Sequence, residues 1–275
     1  SIFVIVVPML LVFLQNDTGS ALVFASFVFV LFREGLSAYV LVFGAALIVL
    51  FVSALLIDKY ILVAILFALC LVAWLVIKRK SHRTKVWLFL VCFLISSAVV
   101  FAVDVVFDKG LEQHQKDRIE VLLGKKEDLK GVGYNVNQSK IAIGSGGFLG
   151  KGFLNGTQTK YNFVPEQDTD FIFCTIGEEW GFIGSSITII LFLTLCIRLV
   201  KMAERQRSKF ARIYGYGVAS IIFFHFFVNI GMTIGLLPVI GIPLPFISYG
   251  GSSLWAFTLL LFIFIRQDAS RLELI

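Results

Sequence analysis

Eight apolar runs, several of them about 20 residues long, recur along this chain at residues 2–14, 21–32, 38–57, 60–77, 86–107, 171–200, 213–237 and 252–265. A helix of about 20 residues rises about 30 Å, the thickness of a bilayer's hydrocarbon core, so each run reads as a membrane-crossing helix. Composition agrees: apolar residues make up 58% and charged residues 15%, with 23 glycines, against a charged share of about 25% in soluble domains. A water-soluble fold lacks enough polar surface on these terms. Disorder, a disulfide-rich module and a soluble nucleotide-binding enzyme are excluded. The expected fold is all-α, a polytopic membrane helix bundle of about eight spans forming one domain over residues 1–275. A signal peptide does not fit the first run, which lacks a basic flank and is followed within a few residues by the next.

Charge sets the orientation. If helix ends alternate sides, one side holds 14 basic and 4 acidic residues and the other 10 basic and 14 acidic. The basic side is expected in the cytoplasm, with both chain ends there and the remaining loops outside. The basic clusters at residues 78–85 and 198–212 then read as topology anchors that also touch anionic lipid. The competing reading, a nucleic-acid patch, is the weaker one.

One outer connection stands apart, residues 108–169. Its first part, residues 109–130, includes the amphipathic stretch DRIEVLL and reads as a short helix at the interface. Its second part, residues 138–171, carries Gly144, Gly146, Gly147, Gly150 and Gly152 among Lys140, Lys151 and Lys160. Glycine-exposed amides beside ammonium groups suit a phosphate or pyrophosphate cradle. Without Walker-type spacing, a flexible loop with solvated lysines is the alternative.

Glu166, Asp168 and Asp170 alternate just before a span. If Pro165 holds the chain extended, the three carboxylates project together, which suits a divalent cation or a general base. The plain alternative is an acidic rim at a helix N-terminus. Glu178 and Glu179 follow inside the apolar run IGEEWGFIG, implying a polar cavity or a shallow interfacial position. Together these suggest an acidic crater opening outward.

The second outer connection, residues 235–251, reads GLLPVIGIPLPFISYGG. Pro238, Pro243 and Pro245 forbid a regular helix, and backbone this apolar is tolerated at membrane depth only when buried in protein or lining a cavity. It reads as a re-entrant lid beside a lipid-chain path, with Asn229, Ser248, Tyr249, Ser252 and Ser253 as polar handles; a kinked helix pair is the alternative. Cys70, Cys92, Cys174 and Cys196 lie in apolar runs without CxxC spacing and read as core residues. His82, His114 and His225 form no metal-binding pattern, and no GxSxG elbow is present.

These segments resemble the SEDS family (shape, elongation, division and sporulation). NIGMTIGLLPVIGIPLPFISYGGSS at residues 229–253 is similar to the family signature along its length. QSKIAIGSGGFLGKGF from Gln138, GTQ at residues 156–158 and PEQDTDFIF at residues 165–173 match its other hallmark region. GTQ leans toward the RodA branch over the FtsW branch. The resemblance implies a peptidoglycan glycosyltransferase of the bacterial cytoplasmic membrane that polymerises lipid II alongside a class B penicillin-binding protein in a cell-elongation complex. It places the family's essential aspartate on Asp170. Lys140, Lys151 and Lys160 are then candidates for the leaving pyrophosphate, and a divalent cation, Mg or Mn, is a possible cofactor with Asp168 and Asp170 as its ligands. Glu166, Asp168, Glu179, Asn229, Ser248, Tyr249, Gly250 and Gly251 complete the expected substrate-contacting set.

The chain departs from the family pattern in four places. Family members usually have about ten spans, so N-terminal spans are expected before this chain's start. QNDTGS at residues 15–20 stands where QPDLGT is common, Asp168 where histidine is frequent, and residues 60–107 hold two extra spans relative to shorter relatives. Two other functions compete: a lipid-linked precursor flippase, for which Glu178 and Glu179 would serve, and an inactive scaffold recruiting the penicillin-binding protein.

Overall fold

The computed structural model describes residues 2–15, 17–76, 82–105, 107, 110–125 and 131–272. Twelve α-helices are assigned among them: α1 Ile2–Leu14, α2 Thr18–Ala25, α3 Phe27–Arg33, α4 Ala38–Leu56, α5 Lys59–Val76, α6 His82–Val105, α7 Gln113–Leu122, α8 Val132–Ser145, α9 Thr157–Lys160, α10 Ile172–Glu204, α11 Lys209–Thr233 and α12 Gly251–Ala269. No strand occurs among the described residues. Each apolar run contributes to a helix, and among the described residues three helices, α4, α10 and α11, are by length and composition long and apolar enough to cross a membrane.

Three runs differ from expectation. Residues 21–32 are not one helix: the backbone tightens to i→i+3 bonds on both sides of Ser26, with Ser26 N donating to Val23 O (3.0 Å) and Phe29 N to Ser26 O (3.1 Å), which divides α2 from α3. The run 213–237 stops at Thr233, because Gly235 takes φ +73° and the amides of Leu236 and Leu237 both turn back to Gly231 O. The run 171–200 is broken at Gly181, as described below. Within the long outer connection α7 forms inside the stretch expected to be helical. Residues 77–81 and 126–130, which the runs and clusters read from sequence include, lie outside the described residues, as do the side chains of His82 and His114.

The chain divides into two compact units, Ser37–Ile119 and Ser1–Leu36 with Glu120–Ile275. In the first, α5 and α6 pair through Phe67, which meets Phe89 and Phe93 edge-on at centroid distances of 5.6 and 5.4 Å, and α4 packs on α6. In the second, α10 and α11 form the central pair, with Phe192 stacked on Phe226 at 4.9 Å. Lipid tails are as apolar as leucine, so such pairs are held by close van der Waals contact. Gly215 shows this: a Cβ there would run into the Phe264 ring, which is fully buried against α11.

The basic ends of these helices are tied by charge. Asp268 of α12, 7% exposed, accepts from Arg205 Nε (2.9 Å), Gln206 Nε2 (2.7 Å) and Arg271 Nη1 (3.2 Å). Arg33 donates to the Tyr216 hydroxyl at 2.9 Å, and Arg212 pairs with Glu34 at 3.0 Å. Before α2, Asp17 caps the helix through Ser20 N (2.9 Å), and hydrogen bonds from Ser20 hold its carboxyl below the usual range.

Candidate functional site

The site is built on a break in α10. Gly181 has φ +63° and ψ −156°, a conformation essentially confined to glycine. In a continuous helix the amides of Phe182 and Ile183 would donate to the carbonyls of Glu178 and Glu179. Here Phe182 N donates to Gly147 O (2.9 Å) and Ile183 N to Phe148 O (3.3 Å), while Glu178 O accepts from Lys151 N (3.0 Å) and Glu179 O from Gly152 N (2.9 Å). Two donors and two acceptors released by the break are all taken up by residues 147–152. Contact this close needs bare backbone: a Cβ on Gly150, itself at φ +82°, would run into the Glu179 carbonyl.

The glycine-rich segment therefore serves the helix break and is not an open anion cradle. The Lys151 and Gly152 amides are spent on Glu178 and Glu179. Lys140 is on a regular helix, α8, and not in a loop.

Glu178 is the polar hub beneath this segment. It is 0% exposed, and its Oε1 accepts from Lys151 Nζ (2.7 Å), Gln158 N (2.9 Å) and Thr157 Oγ1 (3.2 Å), while Oε2 accepts from Thr159 N (2.9 Å). The GTQ triplet thus wraps the carboxylate, and the space a Cβ on Gly156 would fill adjoins Glu178 Oε2. A buried charge persists only when paired and hydrogen-bonded. Glu178 meets both conditions. It does not line an outward crater, and Glu179 beside it is also buried, at 8%.

The PEQDTDF stretch is a series of turns, not an extended strand. Glu166 sits at φ +57°; its carbonyl accepts from Thr169 N (3.2 Å) and Phe171 N (3.0 Å), and its Oε2 from the Thr169 hydroxyl (2.9 Å). The expected alternation of three carboxylates on one face fails because the chain curls at Glu166. Among the described residues no group of three or more His, Cys, Asp and Glu side chains is placed to hold a metal ion. Asp168 and Asp170 supply two carboxylates on this turn, and would hold a divalent cation together with further oxygens such as substrate phosphates.

Three consecutive carbonyls of this turn are bound, two by the segment before α12 and one by α11. Tyr249 N donates to Asp168 O (2.8 Å), Ser248 Oγ to Thr169 O (2.6 Å) and Asn229 Nδ2 to Asp170 O (2.7 Å). The same Asn229 nitrogen donates to Ile242 O at 2.7 Å, and Ser248 Oγ accepts from Leu244 N at 2.7 Å. One turn earlier on α11, His225 Nδ1 donates to Pro243 O at 3.2 Å. His225 and Asn229, four residues apart on one helix face, satisfy neighbouring carbonyls of a stretch whose prolines forbid helical bonding. Residues 234–250 are indeed non-helical, and Ile242 and Leu244 are buried, as non-helical backbone at membrane depth requires.

The half-buried Asp170 carboxylate borders this segment at Gly241: Oδ2 lies 3.3 Å from the position of a Cβ there. Lys140 borders it at Gly235, where a Cβ would meet the lysine's Cε and Nζ. Tyr249 is exposed, Gly250 turns at φ +157° and Gly251 begins α12. Asp170, Lys140 and Asn229 thus border the Pro/Gly segment to which Ser248 and Tyr249 belong, whereas Lys151 is drawn away to Glu178. Lys160 ends α9 and is exposed, as is Asp168. The sequence assigned no role at the site to His225, Thr157 or Thr159; Thr157 stood within the GTQ motif, and the four-residue spacing of His225 and Asn229 put both on one helix face.

Such a bundle, with a long connection stitched into a broken helix and a buried Pro/Gly segment clamped to an acidic turn, defines a polytopic helical membrane protein. The profile of the FtsW/RodA/SpoVE family, described as cell cycle protein, matches residues 47–272. The chain belongs to this family, whose members are integral proteins of the cytoplasmic membrane. It is 47% identical over 144 residues to the peptidoglycan glycosyltransferase MrdB of Escherichia coli, covering 52% of this chain and 39% of that protein. To MrdB of Helicobacter pylori it is 41% identical over 180 residues, covering 65% and 44%. It also superposes on a chain from a peptidoglycan synthase complex in which polymerization and crosslinking are structurally coordinated. That match has a TM-score of 0.62 and 26% identity, over 96% of this chain and 59% of that one. The chain spans less than half the length of these two curated relatives.

Proposed function

We propose that this chain carries the sugar-polymerising centre of a peptidoglycan glycosyltransferase that extends glycan strands from lipid II for cell elongation. The observation that carries the reading is the placement of Asp170, whose carboxylate borders the buried Pro/Gly segment while its own carbonyl is clamped by Asn229. The relatives' activity and the SEDS motifs supply the reaction class. Asp170 takes the proton from the acceptor sugar's 4-hydroxyl as that oxygen attacks the anomeric carbon of the donor. Undecaprenyl pyrophosphate leaves with inversion. Lys140, across Gly235, is the lysine best placed on this segment to meet the pyrophosphate, and the apolar wall of residues 235–247 borders the polyprenyl chain. A class B penicillin-binding protein is the proposed partner, on the strength of the synthase complex to which the fold is similar.

The test is polymerisation of lipid II by the full-length protein with its partner. Asp170→Asn keeps the shape of the turn and removes the base, so glycan synthesis is lost while the protein stays folded. A wild-type rate in that variant removes the assignment. Protein-dependent transfer of lipid II across vesicles without polymerisation would favour the flippase reading instead.

A further inference from the structure

The outer segment that stitches the α10 break displays an apolar surface that neither the reaction nor the core uses. Phe148, Leu149, Phe153, Leu154 and Tyr161 are each 65–76% exposed. Two of them form the tip of a tight turn closed by Asn155 N to Gly152 O at 3.1 Å. Its third residue, Leu154, is held at φ +59°, where glycine or asparagine is the usual occupant. Turn tips in water carry small polar residues. A strained turn that presents phenylalanine and leucine instead is shaped for an apolar medium.

The α10 helix identifies that medium. Phe148 stacks on Phe182 at 5.8 Å and Phe153 lies against Trp180 at 6.4 Å. Trp180 heads an exposed stripe that continues through Ile183, Ile187, Ile190 and Ile197 along a helix long and apolar enough to cross a membrane. Counting 20 residues back from the exposed basic residue Lys201 gives about 30 Å, one hydrocarbon thickness, and reaches Gly181. Trp180 and the segment stacked on it therefore stand at the far boundary of the bilayer, where aromatic side chains concentrate. Lys160, exposed beside Tyr161, is suited to reach the phosphates from there.

We propose that residues 148–161 are seated in the outer leaflet, their aromatic and leucine side chains at headgroup depth and continuous with the lipid-facing stripe of α10. The occupant of this surface is lipid, and the role is separate from the reaction. The anchor holds the GTQ segment, and through it Glu178, at a fixed height against the membrane.

The test uses the full-length protein in nanodiscs, with bimane attached at Leu149→Cys or Phe153→Cys. The wild-type chain, labelled in parallel, is the blank for Cys92, its exposed native cysteine. Both positions are exposed; Leu149→Cys leaves the Phe153–Trp180 contact in place, and Phe153→Cys removes it. Lipid spin-labelled near its headgroup should quench several-fold more than lipid labelled near the acyl terminus, and aqueous iodide should quench weakly. Iodide quenching equal to that of free dye would overturn the proposal. So would shielding that appears only when a partner protein is added, since the surface would then be a protein-docking face.

Discussion

Asn229 donates one carboxamide nitrogen to two carbonyl oxygens, those of Asp170 and Ile242, each at 2.7 Å. Its side chain is buried at 0% exposure, so one residue of α11 fixes both the acidic turn and the Pro/Gly segment in place.

Replacing Asn229 by alanine strands two carbonyls, at a cost of about 1–3 kcal/mol for each buried group left unsatisfied. The expected outcome is a lowered unfolding midpoint in detergent and a larger fall in kcat than change in KM for lipid II, because Asp170 loses its position while the substrate surfaces remain. A wild-type kcat in a folded Asn229→Ala protein would show that the clamp does not position Asp170.

His225→Asn should be tolerated better than His225→Leu. The asparagine amide nitrogen lies close to where Nδ1 donates to Pro243 O, whereas leucine leaves that carbonyl unpaired. Unfolding midpoints of the two variants, ranked Asn above Leu, check this.

Lys151→Met leaves the Glu178 carboxylate buried without its ammonium partner, and losing one member of a buried ion pair costs about 3–5 kcal/mol. The double variant Lys151→Met with Glu178→Gln should recover much of that loss. A stability-based double-mutant cycle measures the coupling. A pyrophosphate ligand would behave otherwise: Lys151→Met would reduce turnover and leave stability untouched.

Gly181→Ala and Gly150→Ala should each destabilise the protein by about 1–3 kcal/mol through backbone strain alone, with collision of the new Cβ adding to it. Gly144→Ala is the matched control. A Cβ there meets nothing within 4 Å on exposed backbone, and the change should fall within about 0.5 kcal/mol. Folded yield and thermal midpoint report all three.

Much of this arrangement could be read from the residues alone. Uninterrupted apolar runs announce helices, and the prolines of residues 238–245 announce where helices cannot continue. What failed was anything settled by partners far along the chain. Glycines at 146, 150 and 152 signal that something approaches the backbone closely, but a phosphate and another stretch of backbone leave the same signature. Lys151 read as a free cation because its counter-charge lies 27 residues away. The Glu166, Asp168, Asp170 alternation predicted one carboxylate face from the assumption of extended chain after Pro165, and a positive φ at Glu166 undid it. Gly181 gave no warning, since isolated glycines are common within membrane helices.

At the α10 break two helical bonds give way to four: each of the two amides and two carbonyls given up by the helix finds its own partner in residues 147–152. The span therefore has two self-consistent ways to pair its backbone, one continuous and one borrowed. Stitching amounts to strand invasion of a helix, with residues 147–152 pairing all four backbone groups that the continuous helix would pair with one another. Its direction is set by the conformational preference of Gly181 and by the four donors gathered around Glu178.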